Sequence, residues 1–513
     1  MLDRFVRSPS RTFLFLAAAF IVGAAVHALD ERPWLPPAAS LGSAASAGLL
    51  ALLARRRPLP RLAAIGLALA ALAVARYDLA LRSMVAPGPL PAWADSFSGE
   101  VAEDPAPVLA GTVLIMDRVF VSGGGRLPGR FRLTSTAPFP ARAGDILEWR
   151  CRPRPAGALG SAGAGDDLVL RGIAWQCAPR GRPAIVGSGR SGPVAALLAS
   201  FRERLRMTVG ELLPEPEASF LLGLLIGERA GLPVDLVDAF RRSGTSHILA
   251  VSGYNVTRLV DIIFVLCACA ALRRRRASAV VALLLLGFVA LVGGGASVVR
   301  AAIMGGVGLL AAASGRRYGG SASLAAAAAV MLAIDPLSLR HDIGFQLSFA
   351  AVWGLHAFGP ALTAKLTFLP EAVGLRKTMA ETLAATIATA PVVLAAFGRL
   401  PLVGPAANLL ILPLVPWAMA FGTAAVVLAQ AQPWLGSPPA FATACLLRFI
   451  EEVAARAPGL LPFSLELTVG PLAEAALFGW IVLLWFALNF APGRPVLSPR
   501  GPADMDIEVI DHG

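Results

Sequence analysis

The chain has 513 residues, of which 56% are hydrophobic and only 15% are charged, whereas soluble domains carry roughly 25% charged residues. This composition excludes a disordered protein, a collagen and a small disulfide scaffold, and it predicts a membrane protein with several helical spans. The net charge of +12 permits an anionic partner such as nucleic acid or lipid headgroups without identifying one.

Residues 1–86 are predicted to form N-terminal transmembrane helices. Apolar runs cover residues 12–29, 38–54 and 62–81. Arginines precede the first run and fill the loop between the second and third. The positive-inside rule therefore places the N-terminus and that loop in the cytoplasm. No signal-peptide cleavage site stands out after the first run, so we expect it to be retained.

Residues 97–190 are predicted to form a small β domain, a barrel or sandwich, outside the cytoplasm. Short alternating stretches separated by Gly and Pro clusters replace the apolar runs, with strands expected at 111–116, 118–122, 130–134, 145–151 and 169–176. Cys151 and Cys177 lie in this domain. Two thiols of one exported domain usually form a disulfide, and two buried free thiols are the alternative.

The remaining chain is predicted to be mostly helical. We expect an amphipathic interfacial linker at 191–216, a transmembrane domain at 217–491 and a polar tail at 492–513. Candidate helices cover residues 217–227, 234–243, 247–272, 277–292, 297–313, 322–334, 344–359, 379–397, 405–429, 438–457 and 471–490.

Residues 223–260 carry the most informative polar groups. A Ser-Gly-Thr-Ser break precedes His247, and Ser252 and Asn255 follow in an otherwise apolar segment. Polar groups in hydrocarbon cost several kcal/mol unless they are satisfied. These three side chains therefore indicate either a polar cavity in the membrane or a helix contact at which they satisfy one another.

This segment resembles the signature of the ComEC family of competence proteins, which carry transforming DNA across the cytoplasmic membrane as a single strand. Residues 295–310, 335–349 and 388–413 resemble the same family and occur in family order. The resemblance implies a polytopic α-helical protein of the inner membrane with an exported OB-like β domain. Its implied partners are single-stranded DNA, the lipid bilayer, a DNA receptor, a separate nuclease and a cytosolic helicase or motor.

Two departures from the family pattern matter. Asn255 stands where the family commonly has a histidine, and Asn cannot titrate near neutral pH. Many members end in a metallo-β-lactamase-like domain that needs a His-x-His-x-Asp-His cluster, but after His356 the only histidine here is His512. We therefore expect a channel without its own nuclease, and no cofactor or metal.

A DNA backbone in a low-dielectric pore needs compensating positive charge. Arg300 is the best candidate inside the membrane, and an ion pair with Asp335 or Asp342 is the alternative. Arg241 and Arg242 are expected to collect DNA at the outer mouth, or else to contact lipid headgroups.

Weaker candidates for the path are Gln346, Ser348 and Asn408, whose side chains are as common at ordinary helix contacts.

In the β domain, basic residues alternate with aromatic ones. Single strands bind OB-like barrels by base stacking in a basic groove. We expect the arginines to bind DNA, and Phe131, Trp149, Trp175, Phe120 and Phe139 to belong mainly to the core. The candidate DNA-binding arginines are Arg130, Arg132, Arg150 and Arg152.

Two other functions stay open. A membrane-embedded hydrolase or transferase would use His247, Ser252 and an acid such as Asp238 or Asp261, although their spacing is not diagnostic. A diverged relative would carry another anionic polymer. No Walker motif is present, so the energy source is either a partner motor or the proton gradient.

Overall fold

The computed structural model describes residues 9–28, 37–54, 58–82, 95–102, 106–108, 111–136, 139, 141, 144–156, 172–188, 193–228, 231–249, 253, 256, 274–293, 295–314, 319–371, 374–460, 464–467, 477 and 479–481. Most of the expected helices at 247–272 and 471–490 lie outside these ranges.

Three apolar helices open the chain: α1 (Pro9–Ala28), α2 (Pro37–Leu53) and α3 (Pro58–Arg82). Each begins and ends within a few residues of an expected apolar run. Gly23 of α1 lies against α3 so closely that a Cβ there would be 2.4 Å from the carbonyl oxygen of Ala70. Small residues of this kind let membrane helices approach backbone to backbone.

The β region forms one sheet of eight strands. They are β1 (Ser96–Val101), β2 (Ala106–Val108), β3 (Gly111–Val121), β4 (Arg130–Ser135), β5 (Asp145–Arg150), β6 (Arg154–Pro155), β7 (Ile173–Cys177) and β8 (Ala184–Ser188). The order is β6-β7-β4-β3-β1-β5-β8, with β2 paired to β3. The β4–β7 pair is parallel and the other pairs are antiparallel.

Two differences from the expected strands have local causes. The stretches 111–116 and 118–122 form the single strand β3, in which Arg118 has a φ of +48°. Strand β1 was not predicted because its inward position 99 is a glycine, which interrupts the apolar alternation. A Cβ on Gly99 would lie 3.0 Å from Val119 and 3.2 Å from Trp149, so those side chains fill the space.

The sheet curves until strands near its two ends meet. Cys151, just after β5, forms a disulfide with Cys177 at the end of β7. Beside it the Arg180 amide donates to the Arg150 carbonyl oxygen at 2.6 Å. We call this junction of β5 and β7 the seam. Inward side chains, including the fully buried Phe131, fill the enclosed core.

The rest of the described chain is helical. The helices are α4 (Pro193–Leu212), α5 (Glu217–Ile226), α6 (Val234–Arg242), a 3-10 helix (Ser246–Leu249), α7 (Arg274–Val292), α8 (Ala296–Ala313), α9 (Gly320–Ile334), α10 (Ser338–His341), α11 (Ile343–Lys365), α12 (Leu375–Phe397), α13 (Gly404–Ile411), α14 (Val415–Ala431) and α15 (Pro433–Leu460). Two short strands, β9 (Arg399–Pro401) and β10 (Ser464–Glu466), pair with each other.

Within the described residues, α3, α11 and α12 are long and apolar enough to cross a membrane. The pair α13 and α14 is a fourth candidate, bent by 41°. One continuous helix was expected here, but Pro413 and Pro416 interrupt the backbone hydrogen bonds. Six other apolar helices are shorter, and large apolar side chains such as Leu53 and Phe441 are 73% and 74% exposed. These features fit a membrane protein.

The N-terminal helices dock on α9 and α10 through reciprocal arginine contacts. Arg76 of α3 donates to the carbonyl oxygens of Ala333 and Ile334, at 3.0 and 2.6 Å, where α9 ends. Arg340 of α10 donates to the Ala28 carbonyl oxygen at 2.5 Å, where α1 ends. Each arginine thus satisfies carbonyls that a helix C-terminus leaves without partners. We call these contacts the arginine clamps.

The expected interfacial helix α4 also makes specific contacts. Arg202 Nε donates to the Leu291 carbonyl oxygen at 2.7 Å, at the end of α7. Arg206 pairs with Glu228 at 2.8 Å. Part of its basic face is therefore engaged with the protein.

Candidate functional site

Arg300 is a buried cation between α8 and α11, with 6% of its surface exposed. Its Nη1 donates to the carbonyl oxygen of Ser348, and its guanidinium lies 5.9 Å from the centre of the Phe349 ring. Gly253 also lies close to the guanidinium, since a Cβ on Gly253 would be 2.7 Å from Nη2. The Ser297 and Ser348 hydroxyls are 2.8 Å apart. One positive charge is thus surrounded by a carbonyl, an aromatic ring and small residues.

The two acids proposed as ion-pair partners have other roles. Asp335 Oδ1 accepts from the Leu337 amide at 3.2 Å, and Asp342 Oδ1 accepts from the Phe345 amide at 3.1 Å, which caps α11. Among the described residues Arg300 forms no ion pair, and its Nε has no hydrogen-bond partner. A buried charge without a counter-charge is costly, so this site favours an anionic group.

The other predicted path residues around position 250 are only partly described. His247 lies on the 3-10 helix and is exposed. Ser252 and Asn255 lie outside the described residues, although Gly253 between them reaches Arg300. The structure therefore joins this segment to Arg300 through Gly253.

Gln346 and Asn408 are not part of the Arg300 cluster. The Gln346 amide donates to the carbonyl oxygens of Leu339 and Arg340, at 3.0 and 2.7 Å, so it completes the end of α10. Asn408 of α13 is buried, and in the described part of the chain its Oδ1 has no hydrogen-bond partner. Its neighbour Ala407 belongs to the core around α5, α14 and α15.

Arg241 and Arg242 are both exposed at the end of α6. Arg242 pairs with Asp238 one turn earlier, at 3.0 Å. This exposed pair contributes little to stability, and both arginines lie on the surface of the described chain.

The Ser-Gly-Thr break is a buried turn. The Ser243 and Thr245 hydroxyls are 2.7 Å apart, and both residues are fully buried. Gly244 has a φ of +71°, and a Cβ there would lie 3.3 Å from both Pro401 and Gly404. This turn therefore packs against the segment that follows α12. The contact brings together residues 223–260 and 388–413, two of the four segments singled out in the sequence.

The candidate arginines of the β domain point outward. Arg150 and Arg152 are exposed, and Arg130 and Arg132 are half-buried. Arg132 of β4 lies opposite Gln176 of β7, which in turn lies opposite Arg154 of β6.

Sequence reasoning missed Arg154 and also Arg180 and Arg182, which are exposed and follow the second cysteine of the seam. All three arginines follow one of the two cysteines within a few residues. A disulfide would therefore bring them together, and this closeness in sequence could have identified them. The seam is consequently a basic part of the β surface.

The aromatic residues of the β domain are mostly core, as expected. Phe131, Trp149 and Trp175 are 0%, 2% and 5% exposed, and Phe139 is 9% exposed. The expectation for Phe120 was wrong, because it is 45% exposed. It lies opposite Ser98 on the outward face, since the irregular backbone at Arg118 shifts the alternation of β3.

Two ionisable clusters, each with a buried acid, were also missed. His27 of α1 and Asp78 of α3 are fully buried, with Nε2 and Oδ1 2.7 Å apart. Each is a polar residue in its own apolar run, and no pattern in the sequence indicates that the two meet.

The second cluster joins α5 to α15, which is not among the candidate spans. Arg448 Nε donates to Oε1 of the buried Glu217. Burial, together with the Glu217 carboxylate, raises the pKa of Glu451 to about 7, although Arg448 opposes this. The sequence had indicated only an amphipathic helix here.

Comparison with known proteins identifies the family of the helical region. Residues 224–492, just over half of the chain, match the family model described as Competence protein. Neither the curated proteins nor the solved structures contain a significant match. The matched region includes Arg300, the buried turn and the arginine clamp residue Arg340.

Proposed function

Because the chain belongs to the Competence protein family, whose members act in DNA uptake during transformation, we propose that it conducts single-stranded DNA across the cytoplasmic membrane. Conduction, rather than hydrolysis or group transfer, is the proposed activity. The nuclease, the surface DNA receptor and the motor are proposed to be separate partners. Arg300 is the observation that carries this proposal, because it is a buried cation without an acid partner among the described residues.

The proposed path runs beside Arg300 between α8 and α11. A phosphate group there would supply the missing counter-charge, and release of counterions would favour its binding. The Ser297 and Ser348 hydroxyls share one hydrogen bond, so one of the two keeps its proton to donate to a phosphate oxygen. Gly253 lies so close to Nη2 that a Cβ would be 2.7 Å away, so a larger residue at this position would displace the guanidinium.

We propose that the β domain is OB-like and lies outside the cytoplasm. Its strand order, the parallel β4–β7 pair and the closure of β5 onto β7 support a small Greek-key barrel. The disulfide supports an oxidising location. Because the buried aromatics are unavailable for stacking, the arginines around the seam would make the first contact with the DNA backbone.

The proposed topology has a cytoplasmic N-terminus. The arginine clamps bring the end of α1 beside α10, and the end of α9 beside α3. These helix ends therefore share one face of the helical domain. Three arginines lie between α2 and α3, and a fourth, Arg61, lies in the first turn of α3, at the end opposite to Arg76; the clamp face would therefore be the outer one.

The test is a comparison of two substitutions at Arg300. Arg300→Gln removes the charge and should abolish transformation while DNA binding at the cell surface persists. Arg300→Lys keeps the charge and should retain part of the activity. Arg456→Gln is a matched control, since Arg456 is 77% exposed and pairs within its own helix; it should behave like the native protein.

Two results would contradict the proposal. One is normal transformation in a strain without the gene. The other is full activity of Arg300→Gln with unchanged protein levels.

A further inference from the structure

The N-terminal helices contain an ionisable pair that the conduction path does not use. His27 and Asp78 are both 0% exposed, and Tyr77, also 0% exposed, presents its ring to His27 at a centroid distance of 5.0 Å. Asp78 Oδ2 has no hydrogen-bond partner among the described residues. Ionisable side chains are expensive in apolar helices and usually mark a functional site, often one that handles protons.

We infer that His27 and Asp78 together bind and release one proton, and that this pair lets a proton gradient act on DNA transport. The inference rests on the proposed function. When the imidazole is neutral and the carboxylate is ionised, the pair carries one negative charge. One added proton, on the ring nitrogen or on the carboxyl oxygen, makes the pair neutral, and release of that proton restores the charge.

The pair is well placed to influence the helical domain. His27 precedes Ala28, whose carbonyl oxygen accepts from Arg340, and Asp78 lies two residues after Arg76. Both arginine clamps thus lie next to the pair in sequence and join α1 and α3 to α9 and α10. Where water is excluded, a change of one unit charge has a large effect on the electrostatic energy of the neighbouring groups. Loading the pair would therefore change how tightly the two parts of the protein dock.

The other charged and titratable groups on these packed elements have their own contacts. Arg76 and Arg340 bind backbone carbonyls, and Asp335 and Asp342 accept from backbone amides at the two ends of α10. His341 on α10, which has contacts of its own, and Tyr77 on α3 are the other titratable groups. The remaining charged residues of these helices are Arg11 on α1 and Arg61 and Arg82 on α3, of which Arg82 lies one turn after Asp78. The His27–Asp78 pair is the one in this described region that is fully buried on both sides.

The experiment uses the full chain in vesicles and measures uptake of a short fluorescent oligonucleotide. In the native protein, an inward proton gradient of about one pH unit should speed uptake by up to about tenfold for each coupled proton. The double variant His27→Gln, Asp78→Asn keeps similar volume and hydrogen bonding without a titratable group, and should lose this acceleration. A single substitution would leave one buried charge without its partner and would endanger folding.

Arg456→Gln is the matched control, because Arg456 is exposed and pairs within its own helix. Both the uptake and its ratio with and without the gradient should match those of the native protein. An equal acceleration in the double variant and the native protein would overturn the inference. Gradient-independent uptake by the native protein would also overturn it, although conduction itself would then stand.

A second measurement separates this inference from the proposed function. Infrared difference spectra between acidic and alkaline buffer should contain carboxyl and imidazole bands that disappear in the double variant. If these bands are present but no oligonucleotide enters, the proton site stands and conduction fails. If the native and double-variant spectra are the same, the proton site is refuted whatever the transport result.

Discussion

Helices α11 and α12 pack so closely at Gly354 that a single methyl group should separate them. A Cβ on Gly354 would lie 2.5 Å from the Ala388 Cβ and 2.6 Å from the Ala384 carbonyl oxygen. Because the carbonyl belongs to the backbone and cannot rotate away, the helices would have to move apart by roughly 1 Å. Such overpacking costs about 1–3 kcal/mol, against a gain of about 1 kcal/mol in helix propensity.

Because both clashing atoms are fixed to the backbone, the cost falls in the upper half of this range, about 2–3 kcal/mol. We therefore expect Gly354→Ala to lower the free energy of unfolding by about 1–2 kcal/mol. Gly306→Ala is the matched control, because Gly306 lies within α8 and a Cβ there meets no atom within 4 Å. It should be neutral or stabilising by up to about 1 kcal/mol.

Thermal unfolding of the purified protein in detergent, followed by tryptophan fluorescence, measures both changes. The expected order of stability is Gly306→Ala, then the native protein, then Gly354→Ala. A Gly354→Ala protein as stable as the native one would refute the close-packing argument. Because α11 also carries Ser348, which holds Arg300, Gly354→Ala should reduce transformation as well.

Three further predictions concern other parts of the protein. Since the pKa of Glu451 is raised from 4.5 to about 7, the folded state binds more protons than the unfolded state in this range, and stability should fall as pH rises through it. Glu451→Gln should remove that loss. The free energy of unfolding should then rise by at most about 3 kcal/mol above pH 7, less because Glu451 is partly exposed to solvent, and should not change below pH 4.5. Denaturation at several pH values measures this difference. Replacing Cys151 and Cys177 by Ala should destabilise the β domain by about 3 kcal/mol, measured as faster proteolysis of that region in the full chain; equal proteolysis rates would contradict this. Gly244→Ala should cost about 1–2 kcal/mol because of its positive φ, and unchanged thermal stability would exclude the buried turn.

The helices α1, α2 and α3 could be predicted because each is a long apolar run between polar or proline-rich breaks. The break between α13 and α14 is marked by Pro413 and Pro416, but hydropathy alone hides it since both sides are apolar. The family assignment from four ordered segments was confirmed by the match.

The site was less predictable because its partners are backbone groups and distant residues. Burial of Arg300 follows from its apolar neighbours, but its contact with the Ser348 carbonyl oxygen depends on how α8 meets α11. Likewise, His27 and Asp78 are 51 positions apart, and periodicity carries no information over that separation. In the β domain, the alternation of apolar and basic residues along each strand separated the inward aromatics from the outward arginines. Closure at the seam could not be predicted in this way because it depends on the curvature of the sheet.

The arginine clamps bear on any attempt to prepare a minimal version of this protein. A fragment cut at the boundaries of residues 224–492 would lose Arg76, and the Ala333 and Ile334 carbonyls would have no donor. It would also uncover the apolar face of Met331 and Phe345 that packs on the N-terminal helices. Truncation at the family boundary would thus expose an apolar surface with unsatisfied carbonyl groups, which favours aggregation. Expression trials should therefore retain the first three helices.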